Sequence, residues 1–172
     1  PGKVTTAATA GYTFSHATND SFTAINRLLA AGEDVSWMSS GPQTGTFFVA
    51  TKASTAAAVG KLAADLGLNF DGVATRPAGD AIKLRKLRIA LADQYGGSMP
   101  SGWTRWILEQ FEFPFTVVYP QQLDAGNLAD KFDVIIFVTG GIPAFRATAG
   151  GGPAAAGGDE PVFGRMPRAE EL

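Results

Sequence analysis

The chain offers few side chains for covalent chemistry. Its single histidine, His16, cannot build a site that needs two imidazoles, and the absence of cysteine removes thiolate ligands, a cysteine nucleophile and disulfides within these residues. A Ser/His/Asp triad would have to join His16 to Ser15, Ser98 or Ser101. Ser15 adjoins the histidine, and neither Ser98 nor Ser101 sits in a G-x-S-x-G elbow, so His16 reads as a polar loop residue. What remains is backbone chemistry. Tyr95-Gly96-Gly97-Ser98 follows one apolar run and Thr139-Gly140-Gly141 ends another. Where such loops leave the carboxyl ends of parallel strands, their amides can cradle an anion, and a pair of them can form an oxyanion hole. Glycine pairs are equally the chemistry of plain turns, and a tight turn before a capped helix explains the first loop without a ligand. That loop matches neither the dinucleotide fingerprint nor a P-loop. The candidate ligand-binding set is Tyr95, Gly96, Gly97, Ser98 and Arg105 with Gly140 and Gly141, sharing one crevice that the loop around Gly150 could cover. No catalytic or metal-ligating residue is expected.

The elements that would position this set lie between Leu87 and Pro143. Leu87 to Ala92 and Val134 to Val138 are short, nearly continuous apolar runs, the pattern of strands covered on both faces. Phe115 to Tyr119 is β-branched and aromatic, and reads as a strand between them. Ser101 is placed to cap a helix in which Trp103, Trp106, Ile107 and Phe111 share one apolar face, expected to lie on the sheet, and Pro114 ends it. Leu123 to Lys131 reads as a short helix weakened by Gly126. The order βαβαβ predicts a layered α/β domain with a parallel sheet.

Upstream, Tyr12 to Phe14 begins a strand. Asn19 or Asp20 caps a helix presenting Phe22, Ile25 and Leu29 with Leu28, and the Asn19-Asp20-Ser21 sequon is better read as that cap. Val35 to Met38 and Thr46 to Thr51 read as a hairpin across Ser39 to Gly45. Ser54 or Thr55 caps a second helix with Val59, Leu62, Ala63 and Leu66 on one face and Gly67 at its end, and Phe70 to Thr75 is a further strand. This βαββαβ order is that of a ferredoxin-like unit, though the same elements could join the second sheet. The Pro- and Gly-containing stretch Arg76 to Asp80 marks the expected boundary, giving a small α/β lobe over 1–80 and an α/β domain over 81–172. Ala149 to Asp159 is a Gly/Ala/Pro loop expected to be mobile.

With 172 residues, 45% of them apolar, the chain can bury a real core. Its net charge of −2 gives no reason to expect nucleic acid or an anionic membrane as partner, and no run approaches a membrane span. Lys83, Arg85, Lys86 and Arg88 form a local basic run that a solvated linker would also need. The first residues carry neither an initiator Met nor a signal-peptide pattern, and the last resemble the opening of a helix, so a fragment of a longer protein is expected.

Asp133-Val-Ile-Ile-Phe-Val-Thr-Gly-Gly-Ile-Pro143 resembles the strand and Gly-Gly turn of class I glutamine amidotransferase-like domains, in which that turn supplies the oxyanion hole. The resemblance spans roughly residues 84 to 172. In that family the nucleophilic Cys follows a Pro-(apolar)₂-Gly run; here Pro161-Val-Phe-Gly164 mimics the run and Met166 stands at the Cys position. A longer set of strings resembles the region after the catalytic domain of large bacterial zinc-carboxypeptidase-like proteins: Tyr95-Gly-Gly-Ser-Met-Pro-Ser-Gly-Trp-Thr-Arg-Trp106, Glu109-Gln-Phe-Glu-Phe-Pro-Phe115 and Leu123-Asp-Ala-Gly-Asn-Leu128. Asn19-Asp-Ser-Phe-Thr-Ala-Ile-Asn-Arg-Leu-Leu29 is similar to their upstream lobe.

This resemblance implies a parent that hydrolyses C-terminal peptide bonds with a zinc held by His-x-x-Glu and a distant His. Those ligands are missing here, so zinc would belong to the parent and no cofactor is expected in this chain. It also implies export. The expected role is a non-catalytic accessory fragment that binds or positions something, its partners being the peptidase domain of the same parent and a small-molecule ligand. The alternative is an amidotransferase-like small-molecule enzyme whose nucleophile lies beyond the fragment.

Overall fold

The computed structural model describes residues 2–138, so Gly140, Gly141, the 149–159 stretch and the 161–166 run lie outside the described residues. The fold is mixed α/β, with one antiparallel and one smaller parallel sheet in two compact units. The first runs up to Lys86 and takes in Gln110–Phe113; the second is formed by Leu87–Glu109 and the chain from Pro114 onward.

In the first unit the order is β1 (Gly11–Phe14), α1 (Asp20–Ala30), β2 (Val35–Met38), β3 (Phe47–Ala50), α2 (Thr55–Leu66), β4 (Asp71–Val73) and β5 (Ala81–Lys83). The five strands form one antiparallel sheet in the order β4-β1-β3-β2-β5. Its first four strands have the split-βαβ arrangement of a ferredoxin-like unit, so these elements make their own sheet. β5 joins at the β2 edge, with Trp37 opposite Ile82, and this places 81–86 with the first unit. The core lies between the helices and one sheet face, where Tyr12, Phe14, Phe47, Val49 and Phe70 meet Ile25, Leu28, Val59 and Leu62. On α1 the inward face is Ala24, Ile25 and Leu28, while Phe22 is exposed at its edge, against Phe47. Neither Asn19 nor Ser54 makes a side-chain cap bond. Ser21 is instead fully buried and donates to the Ser15 carbonyl at 2.7 Å, which fixes the turn before α1. Buried Glu33 accepts from Ser54 and Thr55 at 2.5 and 2.6 Å, supplying from another segment the negative charge that the start of α2 lacks. Gly67 ends α2 in the left-handed region, as the sequence predicts.

Two surface clusters give this unit a pH dependence. The Arg27 guanidinium forks onto both carboxylate oxygens of Glu112 and holds that carboxyl below its usual range. Lys83 and Lys52, at 3.1 and 3.2 Å, do the same for Asp34. A carboxyl whose folded pKa is depressed contributes its full stabilisation above the unfolded value, about 4, and loses it as the pH falls through the folded value. Stability should therefore decline on acidification below about pH 4–5. Glu112→Gln is expected to flatten that decline in urea titrations across pH by well under 1 kcal/mol, because both partners are solvent-screened. An unchanged slope would contradict it.

The second unit contains β6 (Ile89–Ala92), α3 (Met99–Gln110), β7 (Phe115–Val118), α4 (Pro120–Asp124), α5 (Leu128–Lys131) and β8 (Val134–Phe137). Among the described residues all its strand pairs are parallel, as the apolar runs predict, and the strand first in sequence is central: the order is β7-β6-β8. Cover on both faces, expected of the first and last of these strands, holds for β6, which is buried throughout, but not for β8, an edge strand whose Val134 and Phe137 are exposed. Successive strand residues face opposite sides. Ala90 and Ala92 pack with Val118, Leu123, Phe132 and Ile135, so α4 and the residue after α5 cover one face. Asp93 continues the opposite parity, that of Ile89 and Leu91, and meets Arg105 of α3. The expected 123–131 helix is split in two, because Gly126 and Asn127 both take the left-handed conformation. Arg88 ties the parts together through Asp133, at 3.0 Å, and the Asp130 carbonyl.

Candidate functional site

The carboxyl edge of the parallel sheet gathers most of the candidate residues. β6 lies between β7 and β8, and Ala92 is level with Val118 and Phe137, so all three strands end at that edge. The chain moves from β6 to one side and then crosses to the other. The order is therefore 2-1-3 in chain terms, and the direction of winding reverses between β6 and β8. In open α/β sheets such a reversal opens a crevice outside the strand ends.

The loop leaving β6 at this point is built around Asp93. Its carboxylate is 2% exposed, with one oxygen accepting from the Gln94 amide at 2.9 Å and the other from Arg105 Nη2. Gln94 turns its own amide group onto the Gly97 carbonyl at 3.1 Å, and the Gly97 N–H returns to the Gln94 carbonyl at 3.0 Å. Gly96 and Gly97 have φ of +86° and +73°, a conformation that L side chains rarely adopt, and a Cβ at either would meet open space. These glycines are required by the turn itself, and among the described residues nothing obstructs its outer side. Tyr95 stacks on Tyr119, centroids 4.8 Å apart, and donates to Gln121 at 2.7 Å. Tyr119 is itself fixed at the start of α4, its N–H donating to the Gln122 side-chain carbonyl at 2.9 Å.

Of the candidate residues, Tyr95, Gly96, Gly97 and Ser98 lie on the loop after β6 and Arg105 reaches Asp93 at the start of that loop, whereas Gly140 and Gly141 lie outside the described residues. Two expectations about α3 are corrected. The helix begins at Met99, one turn earlier than supposed, and Ser98 caps it by accepting the Ser101 N–H at 3.2 Å. Ser101 lies inside the first turn and is fully buried. Trp103, Trp106 and Ile107 do not pack on the sheet: each is about half exposed, and the two indoles meet edge to face. Ser101, Thr104, Arg105 and Leu108 form the more buried face instead. The cause is the buried carboxylate, because Asp93 must be paired and only the Arg105 side of the helix can pair it. An apolar stripe shows that a helix has a face, not which layer receives it.

Sequence reasoning passed over Asp93, Tyr119 and Gln121. An acidic residue directly after a buried strand, twelve residues before an arginine on the following helix, was the available signal for the first. The basic run is largely structural, since Lys83 binds Asp34 and Arg88 binds Asp133. Among the described residues no three His, Cys, Asp or Glu side chains converge as metal ligands, and no helix is long and apolar enough to cross a membrane. Comparisons with protein-family models, curated proteins and solved structures yield no match.

Proposed function

We propose that this chain is a non-catalytic accessory fragment of an exported zinc-carboxypeptidase-like protein, and that its second unit binds a small molecule at the carboxyl edge of the parallel sheet. The observation carrying this reading is the reversal of winding between β6 and β8, with the open Gly96–Gly97 loop and the Asp93–Arg105 pair directly beside it. On this reading the second unit is the opening part of a doubly wound, amidotransferase-like sheet, and the peptidase domain of the parent is its partner. The exposed side chains Phe22, Trp37 and Ile82, and separately Met99, Trp103, Trp106 and Ile107, are apolar surface of the kind an accessory unit uses against a larger protein.

The 2-1-3 order also supports a second reading, an amidotransferase-like small-molecule enzyme with its nucleophile further along. Reading the coding region in both directions separates the two. An upstream His-x-x-Glu with a later His is expected; a downstream Cys elbow followed by His and Glu decides for the enzyme. Binding is tested by screening small molecules against the ¹⁵N-labelled chain. Hits should move the amides of residues 94–98, and a screen whose hits all map elsewhere contradicts the site.

A further inference from the structure

We propose that the loop from Tyr95 to Met99 and the first turn of α3 bind an oxyanion, the phosphate or carboxylate group of a small molecule. This rests on the binding reading of the same loop and adds the chemistry of its ligand.

The polar groups left over at this place are donors. The amides of Tyr95, Gly96, Ser98 and Met99 have no hydrogen-bond partner among the described residues, whereas that of Gly97 is taken by Gln94. Free amides at a helix start are common and would carry nothing alone. The second observation is Ser101, 0% exposed, whose Oγ has no partner. A buried hydroxyl left unbonded is destabilising by about 1–3 kcal/mol, so a fold that keeps one has a use for it or a guest on it. Side chains on a helix lean toward its N-terminus, which turns Ser101 toward the turn holding the free amides. One turn further along the same face is Arg105, whose Nε is likewise buried and unpartnered while Nη2 holds Asp93.

Several of the acceptors nearby are occupied. Both oxygens of Asp93 are bonded, the Gly97 carbonyl takes the Gln94 side chain, and the Ser98 carbonyl takes the Gly102 N–H at 3.0 Å. Four amides and a hydroxyl at the positive end of a twelve-residue helix, with the Arg105 Nε–H one turn beyond Ser101, select a ligand that accepts hydrogen bonds and carries negative charge. Asp93 does not oppose this, because Arg105 already neutralises it.

The test uses the full ¹⁵N-labelled chain titrated separately with inorganic phosphate and with acetate, each against sodium chloride at equal ionic strength. The expected result is saturable movement of the Tyr95, Gly96, Ser98 and Met99 amides with at least one of the two; the tighter anion identifies the ligand's acidic group. Ser101→Ala should weaken that binding about tenfold while leaving folding stability equal or higher, since it deletes an unsatisfied hydroxyl. Shifts that chloride reproduces, or undiminished binding by Ser101→Ala, overturn the proposal. A neutral compound that moves these amides while both anions are inert also overturns it, yet leaves the small-molecule reading standing. Silence of these amides toward every compound removes both.

Discussion

Phe70→Ala is expected to lower the stability of the first unit by about 4 kcal/mol, within the 3–5 kcal/mol typical of buried Phe→Ala changes. Phe70 is 0% exposed and its ring lies 4.9 Å from that of Phe14, which in turn lies 5.2 Å from Phe47. Deleting the ring leaves a cavity where three segments meet, and these segments cannot collapse into it easily. The Phe70 backbone is bonded on both sides to the N-terminal segment, its N–H to the Lys3 carbonyl at 2.8 Å and its carbonyl to the Thr5 N–H at 2.9 Å. Its position is therefore set by the main chain. Phe70→Leu, which refills part of the volume, should lose only about 1.5 kcal/mol. Urea titration followed at the amides of Phe47–Val49 reads both values. If Phe70→Ala loses less than about 1 kcal/mol there, the ring cannot be central to this core.

How much of this was legible in the sequence depends on which residues carried the signal. The strands at 89–92 and 134–137 were readable as continuous apolar runs and the one at 115–118 by its β-branched and aromatic residues, and the parallel pairing followed from the helices between them. The spatial order was not readable, because 1-2-3 and 2-1-3 arrangements demand the same residues of each strand. Ala81–Lys83 shows the limit for short strands: three residues beside a Pro/Gly stretch look like linker until β2 offers an edge. The Gly96–Gly97 loop was legible because paired glycines are locally explicit. Ser101 was misread as a cap because serine suits several places at a helix start, and only tertiary burial tells them apart. The rotation of α3 was misread for a related reason. A stripe of Trp103, Trp106 and Ile107 outweighs one arginine in any apolar count, yet the need to pair a single buried carboxylate set the orientation.

That account of α3 makes the other large prediction. Asp93→Ala should destabilise the second unit by about 3 kcal/mol, the low end of what breaking a buried ion pair costs, because Arg105 keeps partial access to water, its side chain being 36% exposed. Arg105→Met should be worse. It leaves the carboxylate of Asp93, at 2% exposure, with no counter-charge and no route to solvent, whereas Asp93→Ala leaves a cation that can turn outward. Asp93→Asn falls between wild type and Asp93→Ala, since it still accepts the Gln94 N–H but no longer balances Arg105. The double replacement Asp93→Leu with Arg105→Met should recover much of the loss, because removing both charges together removes the unpaired burial that makes each single change severe. Urea titration with hydrogen exchange at the Ala90–Ala92 amides gives this ranking. Additive losses in the double variant, or an Asp93→Ala protein within about 1 kcal/mol of wild type, would show that the pair does not set how α3 lies and that another contact turns Trp103 and Trp106 outward.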